Sequence, residues 1–329
     1  MMDKALEKQL IELHKVCFND GTYAEHFFAH RLPDGRSYVI EEDGEVKSAC
    51  YARFFDLILG EKEVKIPFLT GVATSPSQRY KGYARKIVET AKESLAKEGY
   101  PFVLLHPFNH DFYRKLGFET INYVTRIVPK KEALPGVTFK QLLSEDLPLL
   151  NELYSNIVKE FTSYKKRSLQ DLELLIGYSL KHGGFGYLIY ENGNPKGYVW
   201  CEDGACVEAI IKDENLLNGI PLPEGYTIPI LSGAEDYSMG ALLGLPSLLQ
   251  YVPYCKEANG EIKFAFMGTN YKAEIRNGNL LSLLEDDEEA PTLSEKELIQ
   301  ICLGQGRRIQ NNPFRGFIPE FNLACYEIY

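Results

Sequence analysis

The sequence predicts an α+β fold assembled from successive mixed domains, and three observations point to it. An amphipathic helix, three alternating strands and a second helix fill the first hundred residues. A second helix-then-meander block follows a change of pattern near residues 129–137. The final third, from about residue 233, opens on a helical stretch and passes through two or three strands to another helix. At 329 residues the chain has room for two or three domains and a large core. The boundaries are drawn at 1–130, 131–232 and 233–329.

Taken in order, Leu6, Leu10 and Leu13 recur at helical spacing within residues 4–16. Alternation on either side of Asp43-Gly44 then predicts a hairpin, because that dipeptide suits a two-residue turn. Residues 64–73 make a third strand, which Pro76 ends, and residues 83–97 a helix with Ile87, Val88, Ala91 and Leu95 on one face and Gly99 as its stop. "PFVLL" is a short buried strand, "DFYRKLG" a short helix closed by Gly117, and "YVTRIV" the last strand of the block. In the second block a helix capped by Ser168 precedes three strands joined by Asn-Gly and Asp-Gly turns. The last third contains a helix around "MGALLGLPSLLQYV", strands meeting at Asn277-Gly278, and a helix with the capping box Ser294 and Glu297.

Composition narrows the classes. Apolar and charged fractions are those of a folded globular chain, and no stretch reaches the roughly 18 apolar residues of a membrane span. The N-terminus reads as a first helix rather than a signal peptide, since acidic residues interrupt it and no small-residue cleavage site follows. Seven irregularly spaced cysteines fit a reducing, cytoplasmic setting better than a disulfide framework. A net charge of −10 argues against a nucleic-acid partner and leaves room for a cationic substrate; it equally serves solubility alone. The run "EDDEEAP" reads as a solvated turn.

The stretch "LTGVATSPSQRYKGYARKI", residues 69–87, passes from a strand to a helix through a basic, glycine-containing turn. No Walker string G-x-x-x-x-G-K-[ST] occurs, and the near-misses to G-x-G-x-x-G at Gly184/Gly186 and Gly304/Gly306 lack the last glycine. A helix start still presents unpaired N–H groups and the positive end of the helix dipole, which suits an anion. Gly82 permits close backbone approach, Ala84 is small, and Arg79 and Lys81 add charge.

The string Gln78-Arg79-Tyr80-Lys81-Gly82-Tyr83-Ala84 resembles the R/Q-x-x-G-x-G/A signature of the GNAT acetyltransferases, and "FYRKLGF" at residues 112–118 is similar to that family's second signature. The resemblance implies a fold of tandem GNAT-like mixed α/β domains. It implies acetyl-CoA as the acetyl donor, with no metal. The backbone of Val72, Ala73 and Thr74 would pair with the pantetheine arm, and the N–H groups of Arg79, Tyr80, Lys81, Gly82, Tyr83 and Ala84 would hold the diphosphate, with Asn109 a further contact. Arg79 and Lys81 either touch phosphates or stand as surface charge. Tyr113 would protonate the departing thiolate, a role that a neutral phenol of ordinary pKa about 10 can fill; the alternative is packing against the CoA arm.

Over nearly the whole chain the plan resembles the enhanced intracellular survival (Eis) family: an acetyltransferase domain, a degenerate second copy without the basic turn, and a domain like sterol carrier protein type 2. The resemblance is strong in residues 64–120 and looser beyond. In that family the terminal carboxylate enters the active site; here it would be that of Tyr329, an anion at pH 7 with a reference pKa of about 3.5. The apolar, aromatic "FNLACYEIY" favours docking over a loose tail. The chain is shorter than typical members, and "YSMGALLGLP" stands where they carry an arginine-rich stretch, which puts the substrate pocket in question. Homo-oligomers, often hexamers, are expected by the same analogy.

Other constellations are weaker. His26 and His30, and His106 and His110, share i, i+4 spacing without a third ligand, and Cys201 and Cys206 flank a turn without completing a metal set. His106 at a strand end is a substrate contact or a structural histidine. Asp56 and Glu119 are reserve candidates for a general base or a substrate-binding carboxylate. No cysteine falls in either signature, so direct attack by an amine in a ternary complex is the simpler mechanism. The reading is an acetyl-CoA-dependent N-acetyltransferase acting on a primary amine such as an aminoglycoside or a lysine side chain. Its rivals are a carrier of lipid or another apolar ligand and a catalytically silent acetyl-CoA sensor.

Overall fold

The computed structural model describes residues 3–19, 21–321 and 323–324. The chain divides into two compact units. One comprises residues 3–121 and 238–320, and the other residues 122–237 with the stretch that begins at Phe321.

The first unit opens with α1 (Lys4–Phe18), whose first turn is capped by the Asp3 side chain and whose inner face buries Leu10, Leu13 and His14. A short helix α2 (Thr22–His26) runs on into a π turn, residues 27–31, that buries Phe27 and Phe28. Strands β1 (Arg36–Glu42), β2 (Glu45–Leu59) and β3 (Lys62–Thr74) form the expected antiparallel meander. Asp43 and Gly44 both take positive φ, 55° and 75°, as a type I′ turn requires. Helix α3 (Tyr83–Lys97) follows with Ile87, Val88, Ala91 and Leu95 buried, then β4 (Phe102–Leu105), α4 (His110–Arg114) and β5 (Glu119–Thr120).

The sheet of this unit has two covered faces. Cys50, Ala52, Leu69, Val103 and Leu105 pack with the inner face of α3 and with Tyr113. Val46, Ala49, Tyr51 and Ala73 pack with α1 and with Phe27 and Phe28. Cys50 and Tyr51 therefore point to opposite sides, as neighbours on a strand must.

The second unit contains β6 (Tyr123–Ile127), β7 (Val137–Gln141), α5 (Leu147–Val158), β8 (Ser163–Lys165), α6 (Leu169–Leu172), α7 (Tyr178–Lys181), β9 (Phe185–Glu191), β10 (Asn194–Glu202), β11 (Ala205–Ile211) and β12 (Ile228–Asp236). Strands β11, β10, β9 and β7 form an antiparallel sheet in that order, and β12 pairs with β6. Its hairpins turn on Asn192-Gly193 and Asp203-Gly204, again with paired positive φ. Ser168 caps α6 in a reciprocal box with Asp171. One face of the four-stranded sheet packs on α5 through Tyr198, Trp200 and Ile210.

The chain then returns to the first unit with β13 (Met239–Leu242), α8 (Leu245–Tyr251), β14 (Gly260–Phe266), β15 (Thr269–Arg276), β16 (Asn279–Glu285), β17 (Thr292–Leu293) and α9 (Glu295–Gln300). The Ser294–Glu297 capping box is present, with Glu297 N donating to Ser294 Oγ at 3.2 Å. Strands β16, β15, β14 and β17 form a second sheet of this unit. A last short strand, β18 (Leu323–Ala324), runs parallel to β8 in the second unit.

Two expectations are corrected here. The stretch "MGALLGLPSLLQYV" is not one helix: Met239–Leu242 is a fully buried strand, and helix begins only at Leu245, with a proline in its first turn. That strand lies between β4 and β5, antiparallel to both. "YVTRIV" is a strand as expected, yet it pairs with β12 in the second unit instead of extending the first sheet. A short apolar run carries no period that separates strand from helix or names its partner.

Candidate active site

The site begins where two parallel strands part. Phe68 and Leu69 of β3 pair with Leu104 and Leu105 of β4, where β4 ends, while β3 continues to Thr74. Between the rungs Tyr51–Thr70 and Ala49–Ala73, β3 carries one extra residue, a bulge at Gly71 and Val72. Gly71 has φ +60°, and a Cβ there would stand 2.7 Å from the Tyr51 ring, so glycine is demanded twice over. Ser75 N donates to Lys47 O at 2.9 Å, which makes Ser48–Thr74 a non-hydrogen-bonded rung and turns the Thr74 N–H and C=O away from β2. Ser48 Oγ donates to Ala73 O at 2.7 Å and anchors the strand from the other side. Val72 and Thr74 are half-buried and Ala73 is buried.

After a single 3₁₀ turn at Pro76–Gln78 the chain reaches the basic stretch. Tyr80 sits at φ +64° with its side chain fully exposed, a costly conformation for an aromatic residue and one that clusters at functional turns. Gly82, at φ +87°, is the N-cap of α3 and supplies no capping side chain. Four other helices, α1, α4, α6 and α9, have their first turns closed by Asp3, Asn109, Ser168 and Ser294. Among the described residues, nothing accepts from the N–H groups of residues 80–85. A Cβ built on Gly82 would meet nothing within 4 Å, so the chain is open at that residue. Arg79 and Lys81 are exposed beside them, Lys81 donating to Gln78 Oε1 at 2.9 Å. Unpaired N–H groups, the positive end of the helix dipole and two adjacent cations are the features that suit a helix start to an anion. Tyr83 steadies it from below by donating to Glu42 Oε2 at 2.6 Å, and that bond raises the phenol's pKa. Ala84 is half-buried at the same end.

Tyr113 lies on α4 and is 3 % exposed. Its ring stands edge-on to Phe108, Phe112 and Phe118, with centroids 5.0–5.7 Å away. Burial, and then the nearby Cys50, push its pKa well above the ordinary phenol value, so it is a neutral donor at pH 7. The hydroxyl makes no hydrogen bond to any described residue. Tyr113 belongs to the same apolar cluster as Leu69, Leu105, Val72 and Tyr83, which brings the phenol, the parting strands and the start of α3 to one place.

The remaining candidates scatter. Asn109 uses its side-chain oxygen to cap α4, accepting from Phe112 N at 2.9 Å, and so positions Tyr113. Glu119 accepts from Arg114 Nε at 3.1 Å and from its neighbour Thr120 N, which ties it into a structural ion pair. Asp56 is half-buried on β2. His106 follows β4 while His110 opens α4, so their spacing does not lie on one helix; the His26 and His30 rings lie 5.1 Å apart, tilted at 46°. Among the described residues no group of three or more His, Cys, Asp or Glu is arranged to hold a metal, and no helix is long and apolar enough to cross a membrane. Tyr329 lies outside the described residues. Glu42 and Ser48, which brace the turn and the strand, and Cys50, which donates to Ile87 O and shares the Tyr113 cluster, were not singled out from the sequence; the hairpin register about Asp43-Gly44 is the signal that places all three.

Residues 2–121 match the family profile of the acetyltransferase (GNAT) domain. This part of the chain carries the features of such a domain, and domains of this family use acetyl-CoA as acyl donor. No curated protein sequence matches. Among solved structures, the fold is similar to that of a conserved protein of unknown function from Enterococcus faecalis V583, described as a probable N-acyltransferase (TM-score 0.77, 16% identity, 99% of this chain and 98% of that one). It is also similar to a GCN5-related N-acetyltransferase from Anabaena variabilis (0.72, 14%, 99% and 98%). Eis1 from Mycobacterium abscessus shares it as well (0.68, 11%, 100% and 99%). At these identities the likeness is one of fold.

Proposed function

We propose that the chain is an acetyl-CoA-dependent N-acetyltransferase that acetylates a primary amine by direct attack in a ternary complex. One observation carries the reading: the uncapped start of α3, the end of the β3–β4 ladder and the buried, unbonded phenol of Tyr113 converge in one cluster. The unpaired N–H groups from Tyr80 to Arg85 are suited to the diphosphate of the donor. The outward N–H of Thr74, with the bulge at Gly71 and Val72 opening the strand, suits a pantetheine arm lying alongside β3, while the Thr74 carbonyl accepts from Cys17 Sγ.

In this reading the amine nitrogen attacks the thioester carbon, the C–N bond forms, the C–S bond breaks, and the departing thiolate takes the proton of Tyr113. Burial holds the phenol protonated at pH 7, so the donor stands ready when charge builds on the sulfur. Alignment of the two reactants supplies much of the rate. The resemblance to the Eis family supports the Tyr329 carboxylate as the group that orients the amine and receives its proton. It also supports a second, degenerate GNAT-like domain, a sterol-carrier-like domain in the last third and self-association, while the irregular cysteines support a cytoplasmic setting.

The test is CoA release from acetyl-CoA across aminoglycosides, polyamines, peptides and arylamines, with Tyr113→Phe as control. Turnover on one class that collapses in the variant supports the reading and names the substrate. Silence across the panel with acetyl-CoA still bound replaces it with a silent acetyl-CoA binder.

A further inference from the structure

We propose that Cys201 and Cys206 form a thiol pair that converts reversibly to a cross-strand disulfide, a two-electron redox site in the second unit that plays no part in acyl transfer. The two residues face each other on β10 and β11, one rung inside the two-residue turn Asp203-Gly204. Glu202 and Ala205 close that turn, so the next rung, Cys201–Cys206, is the non-hydrogen-bonded kind in which facing side chains come closest. Their sulfurs are 2.9 Å apart, and a disulfide bond of about 2.04 Å requires an approach of only roughly 0.9 Å.

The surroundings leave each thiol no other chemistry. Both are buried among Val137, Ile189, Val199, Leu217 and Ile228, and among the described residues the sole hydrogen bond either sulfur makes is to the other. That hydrogen bond, with burial, pushes the Cys201 thiol up, so it rests protonated. Ionisation, and with it attack on an oxidant, needs the hairpin end to open. The arrangement permits this: Asp203, Gly204 and Ala205 are exposed, and a strand end beside a turn is where local opening costs least. Oxidation is a two-step exchange with a small disulfide. One protein thiolate displaces a thiolate from the oxidant to form a mixed disulfide; the second protein thiol loses its proton and displaces the other. Two S–H bonds and one S–S bond are exchanged for one S–S bond and two S–H bonds.

The experiment uses the full chain, reduced and desalted, then brought to equilibrium with graded mixtures of reduced and oxidised glutathione from both directions. The sample is quenched with iodoacetamide in denaturant and digested with trypsin. Cleavage after Lys196 and Lys212 leaves both cysteines on one peptide. The expected result is that peptide two hydrogens lighter and unalkylated, with the buried Cys50 and Cys302 still alkylated. Because folding holds the two sulfurs together, the exchange constant should exceed that of the urea-unfolded chain by about tenfold or more. Thermal unfolding is the second readout: the bridged chain should melt higher than the reduced one, and Cys206→Ala should show no oxidant-dependent shift. A peptide carrying two alkyl groups at every glutathione ratio, one carrying glutathione instead of the bridge, or an exchange constant no larger than in urea would each overturn the proposal.

Discussion

Leu69 and Leu105 face each other across the last rung of the β3–β4 ladder, and five further residues of β3 run on with no strand beside them on that side among the described residues. The divergence is built into β3 by the bulge at Gly71. Gly71→Ala would place a methyl group 2.7 Å from the Tyr51 ring at a φ that L-residues avoid. We expect it to cost about 1–3 kcal/mol of stability and to weaken acetyl-CoA binding. Denaturant unfolding and calorimetric titration with CoA measure the two effects; unchanged stability with unchanged affinity would count against the bulge as the opening device.

Gly82 separates conformational from steric demand. Its φ of +87° is the only constraint, since a side chain there meets open space. Gly82→Asn, a residue that tolerates the left-handed region, should keep most of the stability and affinity; Gly82→Val should lose about 1–2 kcal/mol and bind CoA more weakly. Equal behaviour of the two variants would show that φ is not what selects glycine.

Removing the phenol of Tyr113 should slow chemistry and spare the fold. Tyr113→Phe deletes a hydroxyl with no hydrogen-bond partner among the described residues, so stability should shift by less than about 0.5 kcal/mol. kcat should fall by about 10²–10⁴, with the KM for acetyl-CoA little changed. The pH dependence has a definite sign. The folded-state pKa is raised above the ordinary 10.0, so its contribution to stability is complete below pH 10 and is lost as pH rises from there toward the folded value. The alkaline limb of kcat due to this residue belongs above pH 10; a limb centred near neutrality would assign the acid role elsewhere.

Asn109 acts through Tyr113. Asn109→Ala should remove about 1 kcal/mol of capping free energy from α4 and lower kcat more than it raises KM, whereas Asn109→Asp keeps the cap and most of the activity. Equal loss in both variants would point to a direct contact with the donor.

In the second unit, Arg167 donates to Glu208 at 2.9 Å, with both side chains almost wholly buried, and Tyr198 donates to the same carboxylate oxygen at 2.6 Å. Arg167→Met strands a buried carboxylate and should cost about 3–5 kcal/mol; adding Glu208→Leu should recover much of it. A double variant no better than the single one would show that shape, not charge, fixes this site.

Much of this architecture could be read from the sequence because local chemistry dictates it. Asn or Asp followed by Gly marked four hairpin turns, each found with two positive φ angles. Ser168 and Ser294 announced their helices through capping boxes, and the glycine turn before Tyr83 announced a helix start without a cap. What escaped was long-range. Met239–Leu242 reads equally as strand or helix, and only its partners, β4 and β5, decide. The short turn at residues 267–268 escaped too, because an exposed methionine at φ +50° has no turn signature. The contacts of Glu42 and Cys50 depend on which helix lies over which strand, and hydrophobic period alone does not say that.

The place of β13 has a consequence for how the molecule is made. The sheet that carries the β3–β4 opening is completed between β4 and β5 by residues 239–242, more than a hundred positions after β5 in the chain. On the ribosome, where chains emerge from the N-terminus, β4 and β5 must wait with unpaired edges while all of residues 122–237 are translated. The second unit can assemble most of its own sheets during that interval, so the segment that is written first is finished late.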